Sequence, residues 1–128
     1  GVARENDRLT VVDDQIGVPT WAGWCAEATA SVCERLLADG DAPESGCYHL
    51  AGTGQTSWYG LARAALAQFG HTDVAVEPVS SGEYETAAPR PAYTVLDSSR
   101  VRAAFGVPTT TWSEQLSRFR RHVASLKD

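Results

Sequence analysis

The chain has 128 residues, 43% of them hydrophobic, which suffices for one domain with a buried core. Its formal net charge of -5 at pH 7 excludes the classes of protein that attract nucleic acid or anionic membranes through a positive surface. No apolar run approaches the ~20 residues of a membrane span. Because of this and of the negative net charge, neither nucleic acid nor a membrane is expected as a partner.

Hydrophobic periodicity and turn residues divide the chain into alternating strands and helices. Residues 9–12 are apolar and β-branched, which predicts a strand, and Thr20 is placed to cap the helix that follows. Thr56 or Ser57 would cap the next helix in the same way. In chain order we predict strands at 9–12, 47–51 and 74–79, an extended segment at 95–97, helices at 21–38, 58–69 and 112–126, and a brief helix ending at 105. Alternating strands and helices indicate an α/β fold.

An irregular stretch at 80–93 follows the third predicted strand and contains Pro89 and Pro91. A loop of this length is uncommon inside a compact domain and is usually functional or disordered. Its aromatic and proline content argues against disorder. We therefore predict that this loop faces a ligand.

The spacing of the three cysteines argues against a disulfide framework. Cys25 and Cys33 are eight residues apart on one predicted helix, so their Cα atoms would be about 12 Å apart. A disulfide requires less than about 7 Å. Reduced thiols and a cytoplasmic location are therefore expected.

Patterns typical of cofactor, metal or catalytic sites are incomplete. Gly52 and Gly54 lie between a predicted strand and a helix, but Ser57 stands where a dinucleotide-binding fingerprint has its third glycine. Cys47 and His49 would share a strand face, yet no second pair completes a metal site. No histidine has an evident nucleophile and orienting carboxylate for triad chemistry. We therefore predict no catalytic, cofactor-binding or metal-ligating residue.

Two adjacent carboxylates precede the first turn but do not form a catalytic pair. Asp13 and Asp14 would point to opposite sides of an extended chain. The sequence therefore indicates binding surfaces and no catalytic set.

Three segments resemble, in order and spacing, the motifs of one enzyme family. Residues 11–20, VVDDQIGVPT, resemble V-x-D-Q-x-G-x-P-T, and residues 48–58, YHLAGTGQTSW, resemble Y-H-L-x-G-x-G-x-T-S-W. Residues 83–97 resemble E-Y-P-T-P-A-x-R-P-x-x-x-x-L-D. The chain is thus similar, over nearly its whole length, to the dTDP-4-dehydrorhamnose reductases, which are extended short-chain dehydrogenases.

The resemblance implies a fold and a division of labour. Residues 1–128 would be a single substrate-binding portion, the C-terminal part of a Rossmann-type extended short-chain dehydrogenase, with few strands and about four helices. The family's N-terminal part carries a glycine-rich NAD(P) turn and a Tyr-x-x-x-Lys catalytic pair. Neither occurs here, since the positions four residues after the tyrosines are Gly52, Arg63, Ala88 and Asp97. The resemblance implies NADP or NAD in the parent enzyme and none bound by this part.

The implied activity is reduction of dTDP-4-dehydro-L-rhamnose to dTDP-L-rhamnose with NAD(P)H, this chain alone being inactive. Its partners would be the dTDP-sugar and the missing cofactor-binding half. An exposed docking face would also favour a homo-oligomer. The alternatives are a non-catalytic nucleotide-sugar-binding or regulatory module of the same half-fold and a fragment of a sugar-nucleotide epimerase or dehydratase.

The implied substrate role has a local physical basis. A glycine beside a proline gives a rigid turn that a ligand can approach closely, and an arginine before a proline offers a fork for phosphate oxygens. Aromatic rings can pack a base or a sugar. The alternative is that Gly17, Pro19 and Trp58 only shape the fold. The candidate substrate-binding residues are Gln15, Gly17, Pro19, Thr20, Trp58, Arg90 and Tyr93.

The chain departs from the family pattern at four positions. Glu85 and Ala87 replace two prolines, which predicts a looser loop. Some members dimerise through magnesium held by glutamates, at positions occupied here by Gly23 and His122. A metal-bridged dimer is therefore not expected.

Overall fold

Short strands and four helices make up the part of the chain that the computed structural model describes, residues 8–38, 40, 43–84 and 88–126. The elements are β1 (Arg8–Val12), β2 (Ile16–Gly17), α1 (Ala22–Leu37), β3 (Thr56–Ser57), α2 (Trp58–Gln68), β4 (Ala75–Val79), α3 (Ser99–Phe105) and α4 (Trp112–Ser125). The predicted α/β class, with few strands and about four helices, is confirmed.

The first and last strands form a parallel pair. Leu9 lies opposite Val76, and Val12 lies opposite Val79. Parallel strands need a crossover connection, which here contains α1 and α2, and α2 packs on both strands. Pro78 is tolerated in β4 because a two-stranded sheet has only edge strands. The strands predicted at 9–12 and 74–79 are therefore confirmed.

A strand predicted at 47–51 is wrong. None of the described residues of this segment belongs to a strand. The Ala51 amide donates to the Ser98 hydroxyl at 2.9 Å, and the Cys47 carbonyl accepts from Arg100 at 3.2 Å. These side chains satisfy backbone groups that a neighbouring strand would otherwise pair.

Of the N-caps predicted for α1 and α2, the first is wrong and the second is confirmed. Thr20 does not cap α1, since its hydroxyl donates to the Val18 carbonyl and Trp21 is the N-cap residue. Ser57 caps α2 as predicted, because its hydroxyl accepts from the Gly60 amide at 3.0 Å.

The start of α4 carries a full capping box. The Thr111 hydroxyl accepts from the Glu114 amide, and the Glu114 carboxylate accepts from the Thr111 amide at 2.7 Å. These bonds from Thr111 hold the pKa of Glu114 below its ordinary value. The helix beginning at Trp112 is therefore fixed by local sequence.

The core lies between α1 and α3. Trp24, Ala28, Val101 and Val107 are buried together, with Val32 packed against them. Thr29 and Leu36 of α1 are exposed. The buried face thus follows positions 24, 28 and 32, one turn apart. No helix among the described residues has the length and apolarity to cross a membrane.

Candidate functional site

A groove of about 800 Å³ opens beside the C-terminal end of β1. Its walls come from β1, the turn that follows, the start of α2, and the segment around Arg90. The volume falls within the roughly 300–1,000 Å³ range of small-molecule sites. Ligands of open α/β sheets bind outside the carboxyl ends of the strands, which is where this groove lies.

Five of the seven candidate residues line the groove. They are separated by up to 75 positions along the chain, yet β2 brings all three motif segments together: Ile16 pairs with Ser57, and its amide donates to the Ala92 carbonyl at 2.8 Å. The five residues are Gln15, Gly17, Pro19, Trp58 and Arg90.

The other two candidates do not line the groove. The Thr20 hydroxyl donates a hydrogen bond to the Val18 carbonyl and accepts one from the Gly52 amide at 3.4 Å. Tyr93 is 61% exposed, and its phenol donates to Gln55 at 3.2 Å. Both side chains bind within the chain in this structure.

A close backbone approach explains the glycine in the turn. A Cβ atom at Gly17 would lie 2.9 Å from the Thr94 hydroxyl oxygen. The Thr94 amide donates to the Ile16 carbonyl at 2.9 Å, which holds the two segments together. A side chain at Gly17 would therefore require the Thr94 side chain to move.

Trp58 reaches the groove from the first residue of α2. The Ser57 hydroxyl donates to the Asp13 carboxylate while it accepts from Gly60, so Asp13 ties the helix start to the end of β1. The Trp58 side chain remains 59% exposed. An indole held by its backbone and open to the groove is suited to stacking on a flat ligand group.

Arg90 carries the only charge among the described side chains that line the groove. Most of the other lining residues are apolar, including Val12, Leu61 and Pro91. A lone guanidinium beside apolar walls favours a ligand that has both an anionic group and a flat or apolar part.

Ser81 and Tyr84 were not identified from the sequence. Tyr84 lines the groove. The Ser81 hydroxyl is 2.5 Å from an Asp14 oxygen and 2.9 Å from the Gln15 amide nitrogen. Hydrogen bonds from Ser81 hold the pKa of Asp14 below its ordinary value. Asp13 and Asp14 bind different partners, as their predicted divergence requires.

The glycine pair at 52–54 packs against α4. A Cβ at Gly52 would lie 2.5 Å from the Gln115 amide nitrogen, and Gly54 adopts a φ of 75° beside Trp112. This packing accounts for both glycines without a nucleotide. Among the described residues, no group of three or more His, Cys, Asp or Glu side chains is arranged to hold a metal ion.

Several dTDP-4-dehydrorhamnose reductases resemble this chain in sequence and in structure. A dTDP-4-dehydrorhamnose reductase from Streptomyces griseus is 39% identical over 113 residues, which cover 88% of this chain and 36% of that protein. The solved structure of such a reductase from Bacillus anthracis, in complex with NADP, is 29% identical with a TM-score of 0.82 and covers 94% of this chain and 40% of its own. The solved structure of a Clostridium acetobutylicum dTDP-4-dehydrorhamnose reductase is 28% identical with a TM-score of 0.83. The match covers 96% of this chain and 41% of that one.

The chain spans between 33% and 42% of the length of the curated reductases it resembles. The model of the family described as RmlD substrate binding domain matches residues 1–125. The chain therefore belongs to the RmlD substrate binding domain family.

Proposed function

We propose that this chain is the substrate-side part of a dTDP-4-dehydrorhamnose reductase. It would hold the dTDP-sugar while a cofactor-binding part presents NADP or NAD, and the joined protein would reduce dTDP-4-dehydro-L-rhamnose to dTDP-L-rhamnose in the cytoplasm. The observation that carries this proposal is the convergence of the three motif segments on one groove, represented by Gln15, Trp58 and Arg90.

Each groove residue has a role that its chemistry supports. Arg90 would bind the pyrophosphate through its guanidinium fork. Trp58 would pack against the base or the sugar ring. Gly17 and Pro19 would keep the turn rigid and close to Thr94. The proton donor and the nicotinamide would come from the cofactor-binding part.

Calorimetry with dTDP-L-rhamnose tests the proposal. The titration should use the chain joined to its cofactor-binding half, because that half would shape one side of the groove. Saturable heat of binding is expected, and UDP-glucose serves as a control ligand that should bind more weakly. Absence of binding by dTDP-L-rhamnose would contradict the proposal.

We expect the 128-residue chain alone to show no oxidation of NADPH with dTDP-4-dehydro-L-rhamnose. The reason is chemical, since none of its four tyrosines is followed four positions later by lysine. Loss of NADPH absorbance measures the reaction, with the joined protein as the positive control. Turnover by a purified sample of this chain would disprove the expectation.

We expect this chain to self-associate when it is studied alone. Several large apolar side chains are exposed, among them Leu37 at 86%, Leu126 at 72% and Trp58 at 59%. Exposed apolar surface promotes association. Light scattering should give a mass of at least a dimer, unchanged by EDTA because no metal bridge is expected. A monomeric mass at high concentration would contradict this.

A further inference from the structure

A chain of hydrogen bonds links the groove to a carboxylate outside it. The Ser81 amide donates to both Asp14 oxygens at 3.0 and 2.9 Å, and the Ser81 hydroxyl donates to one of them at 2.5 Å. The Gln15 amide nitrogen donates to the same hydroxyl oxygen at 2.9 Å. Gln15 itself lines the groove.

The direction of these bonds follows from the chemistry of the groups. An ionised carboxylate only accepts, so the single Ser81 proton must point to Asp14. The Ser81 oxygen then has only lone pairs left for Gln15, so the Gln15 amide must turn its NH₂ group to Ser81. The Ser81 hydroxyl is the first cause that lowers the pKa of Asp14, and a carboxyl whose pKa lies below its ordinary value is ionised at neutral pH. The Gln15 amide oxygen therefore remains for the groove.

We propose that Asp14 and Ser81 fix Gln15 as a hydrogen-bond acceptor toward the groove, so that Gln15 binds an O–H or N–H group of the ligand. The identity of that ligand rests on the proposed function. The pyrophosphate diester of a dTDP-sugar has no such donor at neutral pH, whereas the thymine ring and the sugar hydroxyls do. Gln15 thus binds the base or sugar part, and the pyrophosphate belongs to Arg90. Asp14 and Ser81 are positioning residues, since they act through Gln15.

The chain of hydrogen bonds from Asp14 through Ser81 to Gln15, here called the relay, can be tested without any ligand. The chain has four glutamines, so nitrogen-15-labelled glutamine gives four side-chain amide signals, and Gln15→Met assigns the relevant one by its loss. Ser81→Ala should shift the Gln15 signal strongly. The neighbouring Ser80→Ala is the matched control, because Ser80 binds Glu83 instead and should leave that signal in place. An unshifted Gln15 signal in Ser81→Ala would overturn the relay.

A double-mutant cycle tests the positioning role in the joined protein. Gln15→Ala should weaken dTDP-L-rhamnose binding roughly five- to tenfold, the equivalent of one neutral hydrogen bond. Ser81→Ala should weaken it severalfold when Gln15 is present and should have no effect in the Gln15→Ala background. Equal weakening in both backgrounds would mean that Ser81 only anchors its loop, and the proposal would fail.

Three ligands locate the donor that Gln15 binds. If the Gln15→Ala loss persists with dTDP, the donor is on the nucleoside; if it appears only with dTDP-L-rhamnose, the donor is on the rhamnose. The same loss with a pyrophosphate diester that has no O–H or N–H group, such as P1,P2-dimethyl pyrophosphate, would overturn the acceptor assignment. A wild-type protein that binds none of the dTDP ligands but shows the Ser81-dependent amide shift would refute the proposed function and leave the relay standing.

Discussion

Replacing Arg90 by alanine is expected to weaken dTDP-L-rhamnose binding roughly ten- to a hundredfold. A hydrogen bond to a charged group is worth about 1.5–3 kcal/mol, and each 1.4 kcal/mol changes the dissociation constant about tenfold. No other described side chain that lines the groove is charged, so none is placed to compensate for the lost guanidinium. Gln15→Ala should cost less, because its hydrogen bond is neutral.

Calorimetry on the joined protein measures this effect. Arg120→Ala is the matched control, since it removes an exposed arginine of α4 that does not line the groove and should leave the affinity unchanged. Arg90→Lys should recover only part of the binding, because an ammonium lacks the guanidinium fork. Unchanged affinity in Arg90→Ala would make Arg90 a structural residue, and the assignment of the groove would fall with it.

Elements with local signals were predictable from the sequence. β1 is a short run rich in β-branched residues, α2 begins at a serine cap, and α4 begins with Thr111 and Glu114 at capping-box spacing. In each case the residues that decide the structure lie within a few positions of one another. Local windows therefore suffice for these elements.

Elements decided by distant partners were not predictable. Residues 47–51 have strand-like composition, but their backbone groups bind Ser98 and Arg100 instead of a strand. Thr20 looked like a cap for α1, yet the Trp21 amide donates to Gln115 Oε1, which is 94 positions away, at 2.8 Å. Local composition carries no signal for contacts of this kind.

Part of the groove could be predicted from the sequence because its motif residues are characteristic of a family. The relay from Asp14 through Ser81 to Gln15 could not. Ser81 comes beside Asp14 because β1 and β4 run parallel and in register, with the Asp13 amide donating to the Val79 carbonyl just beyond the last strand pair. Residues two positions past each strand therefore emerge side by side. The pairing of those strands had to be known before Ser81 could be assigned a role.

Trp24→Ala is expected to lower the free energy of unfolding by about 3–5 kcal/mol. The indole is only 3% exposed and packs with Ala28 from α1 and with Val101 and Val107 at α3 and beyond it. Its removal leaves a cavity at the junction of the two helices, where the surrounding residues can relax only partly. A loss of this size approaches the total stability of many domains, about 5–15 kcal/mol.

Urea denaturation followed by circular dichroism measures the change, and Arg120→Ala is the control because that side chain is exposed on α4 and lies outside the core cluster. The control should change the free energy of unfolding by no more than about 0.5 kcal/mol. Trp24 does not line the groove, so Trp24→Ala should reduce dTDP-L-rhamnose binding only in proportion to the unfolded fraction. A loss of stability below about 1 kcal/mol would show that α1 and α3 do not pack through Trp24 in solution.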